Sequence, residues 1–220
     1  MGSTSAPLNK PLRTLVVPIL RDAGFQQVDA RNGWSWRNDL IWVFNIRSVG
    51  SYFSGVTGWP PGSVCAWLGV FFTFAPRPGG MKVDDRGRMR PAEHSCHMRD
   101  HLVRNVDQSS RMRRLWNSAE RERTDIWWVQ PDGENVDEVA SDIANALRDH
   151  GLPWYARASD LESALGLVEA GHDCLVKFAK AALLARRLGD EDRWRRYDAL
   201  AETEARRIGH SVDRDTWLGI

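Results

Sequence analysis

A run of aromatic and β-branched residues at positions 40–47 most constrains what this chain can fold into. Apolar side chains recur there with a period of two, which predicts a strand in an antiparallel sheet. The two alternating sets are Trp42, Phe44 and Ile46 on one face, and Ile41, Val43 and Asn45 on the other. A second run at 64–74 has the same texture, and both of its faces are apolar. The stretch 33–74 is therefore predicted to be the buried β scaffold of the fold.

The rest of the pattern predicts an α+β fold, in which helices flank an antiparallel sheet of about five strands. Residue types and turn signals place the strands at 34–36, 40–47, 64–74, 96–103 and 125–130. Helices are predicted at 11–24, 135–150, 160–169, 173–188 and 191–208. We expect residues 1–155 to form the sheet domain and residues 156–220 to form a C-terminal helical hairpin or bundle packed on it.

Glycine and proline mark the predicted ends of these elements. Gly24 ends the first helix, and Gly151 before Pro153 ends the second. Residues 50–62 are rich in both residue types, which predicts an irregular loop. Ser159 and Glu162 have the spacing of a capping box at the start of the next helix. Residues 76–91, rich in glycine, proline and charge, are predicted to be a long loop.

Composition argues against several classes of protein. The 220 residues carry a formal net charge of +1, so the overall basic excess typical of nucleic-acid binders is missing. Cys65, Cys96 and Cys174 lie far apart in the sequence, so neither a disulfide framework nor a thiolate zinc site is expected. No apolar run predicts a signal peptide or a membrane span. We therefore expect a cytoplasmic protein that does not bind membranes.

Several short motifs follow one another in a specific order. They are Gly24-Phe25, Trp36-Arg37, the strand at 41–46, Leu68-Gly69-Val70, Asp125-Ile126-Trp127-Trp128 and Gly151-Leu152-Pro153. The Asp-x-Trp-Trp signature follows an arginine-bearing strand, here at Arg99. In this order the motifs resemble a bacterial domain-of-unknown-function family, family 4304, over the first two thirds of the chain. The resemblance implies an α+β fold with an antiparallel sheet, and it implies no activity and no catalytic residue.

Residues 93–101 hold the densest cluster of reactive side chains. The candidate metal ligands are His94, Cys96, His97 and His101, with zinc or manganese as the ion. In a strand, His97 and His101 lie about 13 Å apart, too far to share one ion at a ligand distance of about 2 Å. A helix would bring them together. A metal-dependent enzyme is therefore the alternative to a solvated strand that binds no cofactor.

The insertion at 104–124 is rich in arginine. Beginning at Arg104, it is crowded with Arg111, Arg113, Arg114, Arg121 and Arg123, with Trp116 among them. Arginine beside an aromatic ring can bind phosphate and stack on a base, so nucleic-acid binding is one interpretation of this insertion. The carboxylates beside it belong to Asp107, Glu120, Glu122 and Asp125. Ion pairs with these groups on a solvated surface explain the same run without a ligand.

Trp59 stands in a segment of glycine and proline, where it is either an exposed anchor for a partner or a plug that closes its loop.

Common catalytic motifs are missing from the sequence, including Gly-x-Ser-x-Gly, His-Glu-x-x-His and the phosphate-binding glycine loop. The leading hypothesis is a non-enzymatic bacterial protein that binds another protein in an immunity-like, defence or regulatory setting. The predicted partner-binding residues are Trp59, Arg113, Arg114 and Trp116.

Overall fold

The computed structural model describes residues 6–76 and 81–209, so part of the predicted loop at 76–91 lies outside the described residues. The helices are α1 (Ala6–Asp22), α2 (Ser51–Thr57), α3 (Ser109–Met112), α4 (Val136–Ala146), α5 (Leu152–Ser159), α6 (Leu161–Glu169), α7 (Leu175–Leu188) and α8 (Glu191–Arg207). The strands are β1 (Gln27–Val28), β2 (Asn32–Arg37), β3 (Leu40–Ser48), β4 (Val64–Phe72) and β5 (Met98–His101). None of the helices in these described ranges has both the length and the apolar character needed to cross a bilayer.

The five strands form one open antiparallel sheet in sequence order, which confirms the predicted α+β fold. Its membership differs from the prediction at one edge. The edge strand is β1, which pairs with β2 so that Gln27 lies opposite Trp34. Residues 125–130 contribute only an isolated antiparallel bridge between Val64 and Trp127. The predicted fifth strand was therefore wrong. The backbone of Trp128 is bound by the side chains of Gln108 and Asn135 instead of by a neighbouring strand.

The chain divides into two compact units, which we describe separately. The first contains residues 1–36, 42–68 and 99–153. The second contains residues 37–41, 69–98 and 154–220, and so takes in segments that the sequence analysis placed with the sheet domain.

In the first unit, α1 packs against α4. Leu12, Val16 and Leu20 are buried and lie at helical spacing, which gives α1 one apolar face. The helix ends at Gly24, as predicted: Gly24 has φ of 86° and the backbone N–H of Phe25 bonds to the carbonyl of Leu20 at 3.0 Å. Glycine adopts this left-handed conformation without the steric cost that a side chain would bring.

Helix α2 replaces the loop that was predicted at 50–62. It follows Gly50 and ends at Gly58, whose φ of 92° places it in the left-handed region and whose N–H bonds to the carbonyl of Ser54. Thr57 is buried, and Phe53 packs against a buried cluster of the first unit. Of the glycines that indicated a loop, Gly50 and Gly58 therefore mark the two ends of a short helix, and Gly55 lies within it.

The predicted end of the helix at 135–150 was also wrong. After α4 the residues Leu147–Gly151 form one π-helical turn, in which the N–H of Leu152 bonds to the carbonyl of Leu147, and α5 follows directly. Gly151 is buried rather than a terminator. A Cβ there would lie 2.8 Å from Leu147 and 3.2 Å from Leu102, so glycine is needed for close packing.

In the second unit, α6, α7 and α8 pack in sequence, and their bounds agree with the predicted helices within about two residues. The cap of α6 differs from the prediction, because Asp160 rather than Ser159 accepts a hydrogen bond from the N–H of Ser163 at 2.9 Å. Ala201 and Ala205 of α8 are buried against Leu175 and Ala179 of α7. The small alanine side chains allow these two helices to approach closely.

Replacing Gly151 by valine should destabilise the protein, because the new methyl groups would enter space that Leu147 and Leu102 already fill. The expected loss in free energy of unfolding is about 1–3 kcal/mol, measured by urea denaturation. Gly166→Val in α6 is the matched control, since no atom lies within 4 Å of a Cβ built there. Equal effects of the two substitutions would contradict the close packing at Gly151.

Candidate functional site

The first unit exposes an unusual concentration of apolar surface around α2. Among the described residues, the exposed large hydrophobic side chains are Tyr52, Val56, Val83, Trp116 and Ile208. Three of these lie on or against this one helix. Tyr52 and Val56 are 84% and 49% exposed and stand four residues apart, on the same side of α2. Such a local concentration is typical of an interaction site.

Trp116 completes this concentration from a different part of the chain. Its side chain is 66% exposed, and its ring packs on the end of α2, 3.3 Å from where a Cβ of Gly58 would lie. Glycine at this position therefore allows both the left-handed turn and the approach of the indole ring. We call the set formed by Tyr52, Val56 and Trp116, with Arg113 and Arg114, the α2 surface.

Trp59 is not part of this surface, which corrects its prediction as an exposed anchor. The side chain is fully buried, with its ring centroid 5.8 Å from that of Trp128. It belongs to a core cluster whose members are Val49, Trp59, Met112, Leu115, Ile126 and Trp128. Trp59 is buried because the insertion packs against the end of α2, and the large indole ring of Trp59 fills the space between them. The loop-plug interpretation is the one that the burial supports.

Glu120 gives the buried indole a polar partner. The Nε1–H of Trp59 donates to Oε2 of Glu120 at 2.8 Å, and Arg123 approaches the same oxygen at 3.5 Å. Arg123 also binds Asp125. Burial raises the pKa of Asp125, but the hydrogen bond and the charge of Arg123, together with smaller contributions, leave the pKa below its usual value. This network binds the C-terminal end of the insertion to the Trp59 cluster.

The arginines of the insertion divide into those that bind the fold and those that do not. Arg111 pairs with Glu138 at 3.4 Å, Arg121 donates twice to the carbonyl of Leu115, and Arg123 binds carboxylates.

Arg113 and Arg114 are exposed, and neither forms an ion pair with another residue in 6–76 or 81–209. They lie between the buried Met112 and Leu115, and the turn of chain that inserts these two side chains into the core leaves both arginines and Trp116 exposed.

The predicted metal ligands do not come together. Within the described ranges, no three His, Cys, Asp or Glu side chains form a group that could hold a metal ion. His94 and His101 are exposed, and Cys96 is buried with its Sγ 3.6 Å from the carbonyl of Ala92.

The predicted strand at 96–103 is shortened to β5, preceded by a 3-10 turn at Glu93–Ser95. The His101 ring instead meets Trp67 edge-on, at 5.6 Å between ring centroids.

His97 is a core residue of the second unit. Its Nδ1 accepts a hydrogen bond from the N–H of Phe72 at 3.0 Å, and its ring centroid lies 4.6 Å from that of Phe71. Burial lowers the pKa of His97 to about 4, although the nearby carbonyl of Pro76 acts in the opposite direction. The imidazole is therefore neutral at physiological pH, and the nitrogen lone pair that a metal would need is already used by the backbone.

The sequence predicted Arg113, Arg114 and Trp116 as partner-binding residues, and all three are exposed, but it did not point to Tyr52 and Val56. Their spacing of four residues is a helical signal, and the glycines at 50, 55 and 58 hid it because they indicated a loop.

Comparison of the chain with family models, curated proteins and solved structures finds no match. The resemblance to family 4304 therefore stays a prediction, and the function must be argued from the geometry.

The two tryptophans beside α2 should respond very differently to truncation. Trp59→Ala should lower the free energy of unfolding by about 3–5 kcal/mol, because it empties the core cluster and leaves Glu120 without its indole donor. Trp116→Ala should cost less than about 1 kcal/mol, since the ring is mostly exposed. Chemical denaturation of both variants tests this, and similar losses would contradict the assignment of one ring to the core and one to the surface.

Acid should destabilise the protein partly through His97. Because the pKa is about 4 in the folded chain and 6.5 in the unfolded chain, only the unfolded state binds the proton between these values. Above pH 6.5 His97 has no effect on the free energy of unfolding. The free energy of unfolding decreases as the pH falls through this window, and the loss reaches about 3 kcal/mol near pH 4.

The measurement is denaturant unfolding at several pH values, compared with His97→Asn. Asparagine keeps an oxygen that can accept the hydrogen bond from Phe72, but it does not titrate. The difference between the two pH profiles isolates the histidine from the carboxylates. Parallel profiles between pH 4 and 6.5 would show that His97 is protonated as readily in the folded state as in the unfolded one.

Proposed function

We propose that this chain is a non-enzymatic binding protein that docks another protein on its α2 surface. The observation that carries the proposal is the clustering of three of the exposed large hydrophobic side chains on or against one seven-residue helix. Leaving Tyr52 and Trp116 in water costs free energy that burial in a complex would recover. Tyrosine, tryptophan and arginine are also the residue types that contribute most to binding at protein interfaces.

The way the surface is supported favours this proposal. Met112 and Leu115 insert into the Trp59 cluster on either side of Arg113 and Arg114. Asp142 accepts hydrogen bonds from the backbone N–H groups of Asn105 and Val106, at the start of the insertion. The exposed side chains therefore stand on backbone that is fixed before a partner arrives, which reduces the entropy lost on binding.

We further propose that the protein acts in a bacterial cytoplasm, in an immunity-like, defence or regulatory role. Cys65, Cys96 and Cys174 are all free thiols, which suits a reducing compartment. The bacterial setting rests on the resemblance to family 4304. The nucleic-acid interpretation stays a prediction, and it now relies on fewer arginines, because Arg111, Arg121 and Arg123 bind groups within the chain.

Affinity capture from the source organism tests the proposal, provided that variants are compared side by side. Trp116→Ala and Tyr52→Ser should each weaken binding of the recovered partner by about tenfold or more. Val83→Ser is the matched control, because Val83 is about as exposed as Trp116 and belongs to the second unit rather than to the α2 surface. It should change the dissociation constant by less than about twofold. A partner that all three variants bind alike would refute the α2 surface as its docking site.

A further inference from the structure

We infer that the protein segment bound by the α2 surface is acidic and carries its carboxylates beside an apolar anchor. The inference rests on the proposed function and adds the chemistry of the partner. It follows from the charges of the insertion, from the partners that its carboxylates already have, and from the apolar side chains beside its free arginines.

The insertion is locally basic although the chain as a whole is nearly neutral. Residues 104–124 contain six arginines and three carboxylates, a net charge of +3, within a chain whose formal charge is +1. The other residues together therefore carry −2. Glu138 and Asp125, which lie outside the insertion, pair with Arg111 and Arg123, so the positive charge left exposed on the α2 surface is that of Arg113 and Arg114. Opposite charge on the partner favours both encounter and orientation.

Two of the three carboxylates of the insertion are already used by the fold. Glu120 accepts from Trp59 and Arg123, and Asp107 accepts from the backbone N–H of Ser109 at 2.9 Å. Glu122 is the one other acidic residue of the insertion, and it is exposed. Asp107 and Arg113 attract each other by charge but form no hydrogen bond, so the guanidinium groups of Arg113 and Arg114 retain their hydrogen-bond donors for groups outside the chain. Docking would remove them from water, which is costly unless carboxylates on the partner bind them.

The apolar half of the surface favours a protein over a nucleic acid. Val56 and Tyr52 project from a helix and offer aliphatic and aromatic area that a charged phosphate backbone would leave unburied. Nucleic-acid affinity also grows with the number of phosphates that cationic groups neutralise, and two free guanidinium groups supply few. A short segment with apolar side chains that contact Val56 and Trp116, and Asp or Glu beside them, satisfies both halves of the surface at once.

Selection from a displayed library of random peptides tests the inference with a defined probe. Peptides are selected on the full chain, and only those that fail to bind Trp116→Ala are kept. We expect these peptides to contain more Asp and Glu than the input library, next to aromatic or aliphatic residues. Their affinity for Arg113→Ser/Arg114→Ser should be lower by about fivefold or more, and less so at high salt.

A charge-matched variant controls for the change in net charge. Arg13→Ser/Arg21→Ser removes two exposed arginines from α1 and should leave the affinity unchanged within about twofold. Thermal unfolding of each variant confirms that it is folded. An oligothymidylate of twenty nucleotides is run in parallel, and binding that depends on Trp116 and exceeds that of the peptides would overturn the inference in favour of nucleic acid.

The remaining outcomes separate the inference from the proposed function. If selected peptides depend on Trp116 but show no acidic excess, or bind the Arg113→Ser/Arg114→Ser variant equally well, the partner chemistry is wrong and the docking site stands. If no peptide depends on Trp116, the docking site itself is refuted along with its partner. Acidic peptides that lose affinity in both the tryptophan and the arginine variants support both.

Discussion

The buried backbone groups of Trp128 pair with no strand, and the way they are satisfied determines much of the first unit. The side-chain amide of Gln108 binds it twice: Oε1 accepts from the N–H of Trp128 at 2.6 Å, and Nε2 donates to its carbonyl at 3.1 Å. Asn135 donates to the same carbonyl at 2.8 Å. Two amide side chains thus do what an adjacent strand would do, because a buried peptide group left without partners is costly.

This arrangement couples the core to the surface. Gln108 precedes α3, so fixing its side chain on Trp128 also fixes where α3 begins. From there Met112 and Leu115 reach the Trp59 cluster, and the residues between and after them face solvent. The exposed positions of Arg113, Arg114 and Trp116 are therefore a consequence of interior packing. A disordered arginine-rich loop of the same sequence could not present these side chains in one arrangement.

Patterns that depend on neighbouring residues were predictable from the sequence, whereas those that depend on distant partners were not. The periodic runs identified β3, β4 and the C-terminal helices, since each such pattern reports which side of its own element is apolar. The run 125–130 has strand-like residue types, but apart from the bridge between Trp127 and Val64 no strand pairs with it, and the backbone of Trp128 is bound by side chains twenty residues upstream and seven downstream. Nothing local in the sequence distinguishes that situation from a strand.

The same limit explains which parts of the candidate site were missed. Trp59 between glycine and proline looks exposed until Trp128 and Leu115 are placed beside it. Conversely, Tyr52 and Val56 look like residues of an irregular loop, because the glycines around them break the pattern, yet a helix forms and leaves both exposed. His97 stands in a cluster that suggested metal binding, and only the fold shows that its Nδ1 serves the backbone of Phe72.

The charge of the α2 surface is best understood as what remains after the fold has used its carboxylates. Asp142 accepts hydrogen bonds from Trp127 and from the start of the insertion, Glu120 binds Trp59, and Asp125 binds Arg123. Each of these acidic groups holds one part of the insertion against the first unit, so none is free to neutralise Arg113 or Arg114. A chain in which these carboxylates had no other partners could pair the two arginines internally. The near-neutral total charge and the two exposed arginines are therefore compatible, because Glu120, Asp125 and Asp142 are engaged with other parts of the fold.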